Sequence, residues 1–423
     1  MRDTFKPKTG SVASQMRSSA DRIKGDLETL GEIGKTEAGG VSRFIFTDED
    51  FEARRFITGL MQSVGLRTVS DKVGNIIGRR PGRNEDLPPV MTGSHIDTVP
   101  NAGIFDGCVG VVGAIEAMRV LNANGVTSNR PIEVVVFNNE EGVRFEPLAG
   151  SKAMACQASV DSILNSRDRD GALFREAFER GGQRIDGLPS PCRRGRVRAF
   201  VELHIEQGPI LEKKGLDIGI VGAIFGIRQF LTSFRGVAGH AGGTPMSMRK
   251  DAVLAAAKTV VAVDEITKRY GPPAVGTVGS VRVYPGVVNV IGEQSEVSVD
   301  VRDSDGSRLR SRSGEVKRRI KAIARATSTE FEIVDRLEID PTAMSRRISR
   351  VIEVCAKRVG ARYTHLDSGP YHDTMMMAKI TKCGMIFVPS RDGASHSRKE
   401  FTEWRQIAKG VDVLSETLVA LSK

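Results

Sequence analysis

The chain has little of what stapled or membrane-spanning proteins rely on. Its five cysteines (Cys108, Cys156, Cys192, Cys355 and Cys383) are odd in number and scattered, with no CxxC pair. That excludes a zinc ribbon or a thioredoxin-type motif and makes free thiols in a reducing compartment the expectation. No apolar run reaches the roughly 18–20 residues of a bilayer span, and the N-terminus lacks an apolar signal core. A soluble, cytoplasmic protein without a membrane partner is expected, with the opening MRDTFKPKTGSVASQMRSSADR as a frayed extension. Aromatic residues are 5% of the chain. Few rings are therefore available to stack on bases, although the net charge is +10 and the run Arg193-Arg194-Gly195-Arg196-Val197-Arg198 and the helix Arg308–Arg325 are basic. Charge alone does not choose among nucleic acid, an anionic membrane and small anionic ligands, and with no recognised nucleic-acid motif beside these clusters no nucleic-acid partner is expected.

At 423 residues the chain exceeds the roughly 250–300 residues at which a single core stops growing. Two domains are the expectation. Helical spacing marks Ala20–Leu30, a second helix after Thr47-Asp48-Glu49-Asp50, and Cys108–Asn122. Apolar strands are expected at Val73–Ile77, Pro89–Thr92, Ile132–Phe137 and Ala199–His204. Strand and helix alternate, which implies a parallel α/β sheet with ligands outside the carboxyl ends of its strands. The polar stretch Asp161–Arg198 is expected to cover the surface. Near Gly222 the order changes to strand (Ile227–Arg235), helix (Asp251–Tyr270), strand (Gly276–Val283), strand (Glu296–Arg302), helix (Asp305–Ala326), strand (Glu330–Leu337). This is the split β-α-β-β-α-β order of a ferredoxin-like domain. The α/β pattern then resumes through Val351–Val359, Met385–Val388 and a last helix at Thr402–Leu421. The expected architecture is a discontinuous α/β domain, residues 1–221 and 337–423, with a small domain inserted at 222–336.

Six histidines are present, few enough to take singly. His95 and Asp97 form an H-x-D pair at a strand end, and Asp106-Gly107 follows on the turn into a helix. An imidazole nitrogen can bind a divalent metal while a nearby carboxylate, here Asp97, fixes its tautomer. Asp106 has two oxygens and could bridge two ions. Both aspartates read equally well as turn or capping residues. Glu140 and Glu141 end the apolar strand IEVVVF, where charge is costly unless compensated. One could ligate metal and the other take a proton from activated water; a solvated loop is the alternative. His204 and His396 also lie at strand ends, where a satisfied structural histidine is the plain reading of either alone. Four strand ends that each carry a ligand-type residue make the metal reading stronger together.

The segments GSHIDTVPNAGIFDGCVGV, FNNEEGVRF, ELHIEQGPILE, GHAGGTPMSMRKDA, NVIGEQSEVSVDVRD and MIFVPSRDGASHS closely resemble the amidase/hydantoinase/carbamoylase branch of the M20-type metallopeptidases, in order and over nearly the whole chain. The resemblance implies a two-metal catalytic domain interrupted by a ferredoxin-like lid that also forms a homodimer. It implies His95, Asp106, Glu141, His204 and His396 as ligands of two divalent ions (zinc, manganese, cobalt or nickel), with Asp106 bridging. Glu140 would be the general base, and Gln207 would help hold the ureido or carboxamide group. His240 would reach the oxyanion in a neighbouring subunit's site, while Asn289 and Arg302 would hold the substrate carboxylate. The implied reaction is hydrolysis of an N-carbamoyl-L-amino acid or a related ureido acid, allantoate and N-carbamoyl-β-alanine included. An M20-type exopeptidase or aminoacylase is the second enzyme reading. Of the other histidines, His372 is expected to line the site and His365 has no task. Two departures stand out: Pro370-Tyr371 replaces two small residues and bears on substrate scope, and Gly292 follows NVI where the branch commonly has proline, which bears on the lid turn beside Asn289.

Overall fold

The computed structural model describes residues 16–423. Most of the segment expected to fray lies outside the described residues, but its end does not: Ser18 is tied to the last helix, its N–H and hydroxyl donating to Asp412 at 2.7 and 2.8 Å.

In chain order the first elements are α1 (Ala20–Glu32), α2 (Asp48–Ser63), β1 (Arg67–Ser70), β2 (Ile76–Arg80), β3 (Val90–His95), α3 (Cys108–Ala123) and β4 (Ile132–Phe137). Thr47 caps α2 by accepting from the Asp50 amide, and three acidic residues fill its first turn, as the helix dipole favours. Three short helices follow, α4 (Ala149–Met154), α5 (Val160–Leu164) and α6 (Phe174–Glu179), then β5 (Ala199–Ile205), α7 (Ile210–Lys213) and β6 (Ile218–Ile224). The later elements are β7 (Gly226–Arg235), α8 (Ala252–Tyr270), β8 (Val275–Tyr284), β9 (Gln294–Asp303), α9 (Gly306–Ala326), β10 (Glu330–Ile339), β11 (Thr342–Ala343), α10 (Arg346–Val359), β12 (Tyr363–Ser368), α11 (Thr374–Met377), β13 (Cys383–Val388) and α12 (Trp404–Leu421). They form two compact units, the second consisting of Gly222–Met344 and Leu366–Tyr371 and the first of the remainder.

The first unit's sheet runs β1-β2-β4-β3-β5-β13-β6. Its centre, β4-β3-β5-β13, is parallel, and β3, β4, β5 and β13 are buried along their whole length. The flanking pairs are antiparallel, so the expected parallel sheet is in fact mixed. The reason is local on one flank: β1 and β2 join through a short turn, and β2 leads into β3 through a loop with no crossover helix, whereas α3 connects the parallel pair β3 and β4. Four parallel strands side by side bring their carboxyl ends to one edge. The polar stretch expected on the surface does more than cover it. Phe174, Phe178 and Ile185 pack with Ile45, Phe46, Val73 and Phe145 in a separate small core.

The thiol expectation is corrected as well. Cys156 and Cys192 are joined in a disulfide, whereas Cys108, Cys355 and Cys383 are free and buried. Distance along the chain concealed the pair: the loop before β5 folds back on the end of α4, where the Arg193 amide donates to the Met154 carbonyl at 2.9 Å. Cysteine usage therefore no longer argues for a reducing compartment. No described helix is long and apolar enough to cross a membrane.

The second unit has the β-α-β-β-α-β order, with its antiparallel sheet arranged β10-β7-β9-β8. Strand β9 alternates half-buried and buried throughout, as its sequence requires of a two-faced strand. Val297, Val299 and Val301 pack with Phe230 and Phe234 against α8 and α9. The opposite face carries Gln229, Ser298, Asp300 and Arg302, half-buried.

Candidate metal centre

At the carboxyl edge of the four parallel strands, His95 ends β3, His204 sits near the end of β5, and the loops after β4 and β13 carry Glu140-Glu141 and His396. Asp106 comes from the turn into α3. That turn requires glycine: Gly107 has φ 64°, and a Cβ there would lie 2.5 Å from the His95 ring. The Glu140 loop is held by its own asparagines. Asn138 accepts from Arg54 and its amide donates to Asn75 Oδ1 at 3.0 Å. Asn139 adopts a left-handed conformation (φ 59°), which asparagine tolerates, and bonds the Glu146 carbonyl at 2.6 Å.

These side chains converge on Asp106. His204 Nε2 lies 3.2 Å and His95 Nε2 3.8 Å from Asp106 Oδ1. On the other oxygen, His396 Nε2 is 3.4 Å away and also lies 3.6 Å from Glu141 Oε2. Glu140 Oε2 is 3.7 Å from His95 Nε2. Asp106 is thus shared by a His95/His204 group and a Glu141/His396 group, both close enough to hold an ion. The histidine tautomers suit that use. Nδ1 of His95 bonds the Asp97 carbonyl and Nδ1 of His204 the Ile205 carbonyl, each at 3.0 Å. In the neutral ring each Nε2 then keeps its lone pair facing the cluster.

Asp97 differs in detail from the expectation. Its backbone carbonyl meets the His95 Nδ1 at 3.0 Å, and its carboxylate Oδ1 lies 3.7 Å from the same nitrogen. The carboxylate also accepts from the Glu140 and Glu141 amides at 3.2 and 3.0 Å, which sets the loop carrying both glutamates.

So many buried acids repel one another. Burial, then Glu141 and Asp373, push Glu140 well above its usual range, and burial with Asp106 and Asp97 pushes Glu141 up to about 10. Burial lowers His204, but the Asp106 hydrogen bond and charge outweigh it and lift the ring to about 9. Burial acts to raise Asp106, yet the His204 hydrogen bond and the three imidazoles hold it well below the usual carboxylate range. A donor set of three imidazoles and two or three oxygens, with excess negative charge, suits a divalent cation.

Gln207 stands beside the cluster. Its Nε2 donates to Asp106 Oδ2 at 2.7 Å, and its buried Oε1 has no partner. An acceptor left open beside the donors is placed to receive an N–H from a ligand. His372 packs edge-on to His204 with ring centroids 4.5 Å apart. His365 is exposed near Glu353, outside the cluster.

Sequence reasoning missed the residues that support Asp106. Glu400 Oε1 accepts from the Phe105 and Asp106 amides at 2.9 Å each. Ser395 Oγ donates to Asp106 Oδ2 at 2.8 Å. Both flank His396 in GASHSRKEF, and an acid four residues past a proposed ligand was the available signal.

The other expected residues lie in the second unit. His240 and Asn289 are exposed on adjacent loops, joined where the Ala241 amide donates to the Asn289 carbonyl at 2.9 Å. Arg302 lines a cavity of about 650 Å³ together with Gln229, Leu231, Val275, Asp300 and Pro370. Pro370, one of the two departures, therefore borders the same space as Arg302.

A sheet whose parallel strand ends supply a shared aspartate and histidines to a metal site defines a metallohydrolase-like centre. Residues 91–420 match the model of peptidase family M20/M25/M40, and the chain belongs to that family. It is 39% identical over 405 residues to the N-carbamoyl-L-amino acid amidohydrolase of Geobacillus stearothermophilus, covering 95% of this chain and 98% of that one. It is 37% identical to the ureidoglycolate hydrolase of Arabidopsis thaliana, covering 97% and 88%. A crystal structure of an amidase of the hydantoinase/carbamoylase family from Burkholderia multivorans superposes with a TM-score of 0.93 at 34% identity, covering 96% and 98%.

Proposed function

We propose that the protein is a metal-dependent amidohydrolase that cleaves the ureido C–N bond of an N-carbamoyl-L-amino acid or a close ureido acid. The observation that carries this reading is the sharing of Asp106 between two donor groups beside the open Gln207 acceptor. His95, His204 and Asp106 would hold one divalent ion and Asp106, Glu141 and His396 the other. Zinc, manganese, cobalt and nickel all suit such donors. When bound, such ions lower the pKa of water toward about 7 and polarise a carbonyl. Glu140, poised on a loop fixed by Asp97, takes the proton from the attacking water and returns it to the leaving amine. Gln207 Oε1 accepts from the ureido nitrogen. The products from an N-carbamoyl amino acid are the amino acid, ammonia and carbon dioxide.

In this reading the second unit is the lid. Asn289 and Arg302 hold the substrate carboxylate, for which a planar guanidinium is well shaped. His240 stabilises the developing oxyanion in a partner subunit's site. A homodimer is supported by β8, the sheet's edge strand, which exposes Val275, Val281 and Tyr284 beside the exposed Val253, Leu254 and Val261 of α8. An open apolar strand edge of this kind is normally covered.

Allantoate, N-carbamoyl-β-alanine and ureidoglycolate form the second reading, favoured by an identity of 37% to a ureidoglycolate hydrolase. Ammonia release from metal-loaded protein on a panel of N-carbamoyl-L-amino acids, N-carbamoyl-β-alanine, allantoate, ureidoglycolate and dipeptides decides between them. Turnover confined to dipeptides or N-acyl amino acids would replace both with the exopeptidase or aminoacylase reading.

A further inference from the structure

Arg302 is not a free cation. Its Nε and Nη2 donate to Asp300 Oδ1 and Oδ2 at 3.0 Å each, and Nη1 donates to the Gly369 carbonyl at 3.2 Å. Asp300 is held in turn, since its Oδ2 accepts from Gln229 Nε2 at 2.7 Å. Arg302, Asp300, Gln229 and Gly369 all line the same cavity. A guanidinium carries five N–H donors in a rigid plane. Asp300 closes one edge with two of them and Gly369 takes a third, so one hydrogen remains on each Nη for a ligand.

We propose that Asp300 is a positioning residue for the substrate carboxylate. It locks the guanidinium plane through a two-point bond, and Gln229 locks Asp300. This rests on the reading of Arg302 as the carboxylate holder. The chemistry has a definite sign. Asp300 offsets the charge of Arg302, so the pair supplies direction more than attraction. Without Asp300 the arginine still attracts an acid, and more strongly, but in many orientations. The loss then falls on kcat and leaves KM unchanged or lower. A misplacement of roughly 1 Å at a remote contact can cost on the order of 100-fold in rate.

The test is the isosteric variant Asp300→Asn in the metal-loaded full chain, assayed on the best N-carbamoyl amino acid and on its neutral C-terminal amide. The expected result is a fall in kcat of at least about tenfold on the acid with no rise in KM, and a similar fall in the acid-to-amide ratio of kcat/KM. Gln229→Leu should shift the same ratio in the same direction by less. An unchanged acid-to-amide ratio in both variants overturns the proposal, as does an equal loss on acid and amide accompanied by a lowered Tm, which marks a merely structural pair. Arg302→Ala separates the two claims. If it fails to raise KM for the acid, the reading of Arg302 falls. If it raises KM while Asp300→Asn changes nothing, only the positioning role falls.

Discussion

The two units treat their polar side chains in opposite ways. In the first, His95, Asp106, Glu140 and His204 are all at most 5% exposed, and each is oriented by a backbone carbonyl, an amide or another side chain. In the second, His240 and Asn289 stand in solvent on loops, and Arg302 is half-buried against Asp300. The difference follows from what each set would bind. A divalent ion demands donors placed in advance, stripped of water and held against mutual repulsion, a cost the surrounding fold must offset. A carboxylate on a small substrate is recognised by donors that remain hydrated until it arrives. His396, with 50% of its side chain exposed, is the exception in the first unit.

The comparison can be broken at its strongest point first. Glu140→Gln should retain metal and lose about 10²–10⁴-fold in kcat, the range for removing a general base; wild-type turnover would take that role from Glu140. Gly107→Ala drives a methyl into the His95 ring, so metal content by elemental analysis should fall with activity. Glu400→Gln tests the support of Asp106 and should weaken metal binding by about 10–100-fold, the usual effect of a residue that orients a ligand. In the second unit Arg302→Ala should raise KM steeply for acids while metal content stays at the wild-type level. Smallest in activity is Cys156→Ser. Opening a disulfide across a separation of 36 residues should lower stability by about 2–4 kcal/mol in denaturant titrations, with kcat below the melting range near wild type.

Metal uptake should depend on pH. With no cation present Glu141 is raised to about 10, so it is protonated at neutral pH and must lose that proton to ligate. Apparent metal affinity should therefore rise with pH across the neutral range, measured by competition with a chelator.

Much of this contrast was legible in the chain itself. Strand Ile132–Phe137 is found at its expected bounds, and the β-α-β-β-α-β order follows from clean alternation in strands such as β9. The ligand-type residues also announced themselves, because histidine and paired carboxylates are costly at the ends of apolar strands. What escaped depended on contacts between distant segments. β1 and β12 lack a run of apolar residues that sets them apart, β6 is an apolar run broken by Gly219 and Gly222, and the antiparallel flanks of the first sheet depend on which strands meet. The Cys156–Cys192 bond and the small core around Phe174 arise from a polar, glycine-rich stretch whose apolar residues are too sparse to show a period. Asp97 was legible beside His95, but its carboxylate's bonds to the Glu140 and Glu141 amides were not, since a side chain's direction beyond a strand end is not written in spacing.

The most direct test of the central claim is ammonia release from an N-carbamoyl-L-amino acid by protein stripped with a chelator, and again after divalent metal is restored. The account predicts no release from stripped protein, recovery on restoring metal, and no recovery in Glu140→Gln despite equal metal content. Equal ammonia release with and without metal would contradict it.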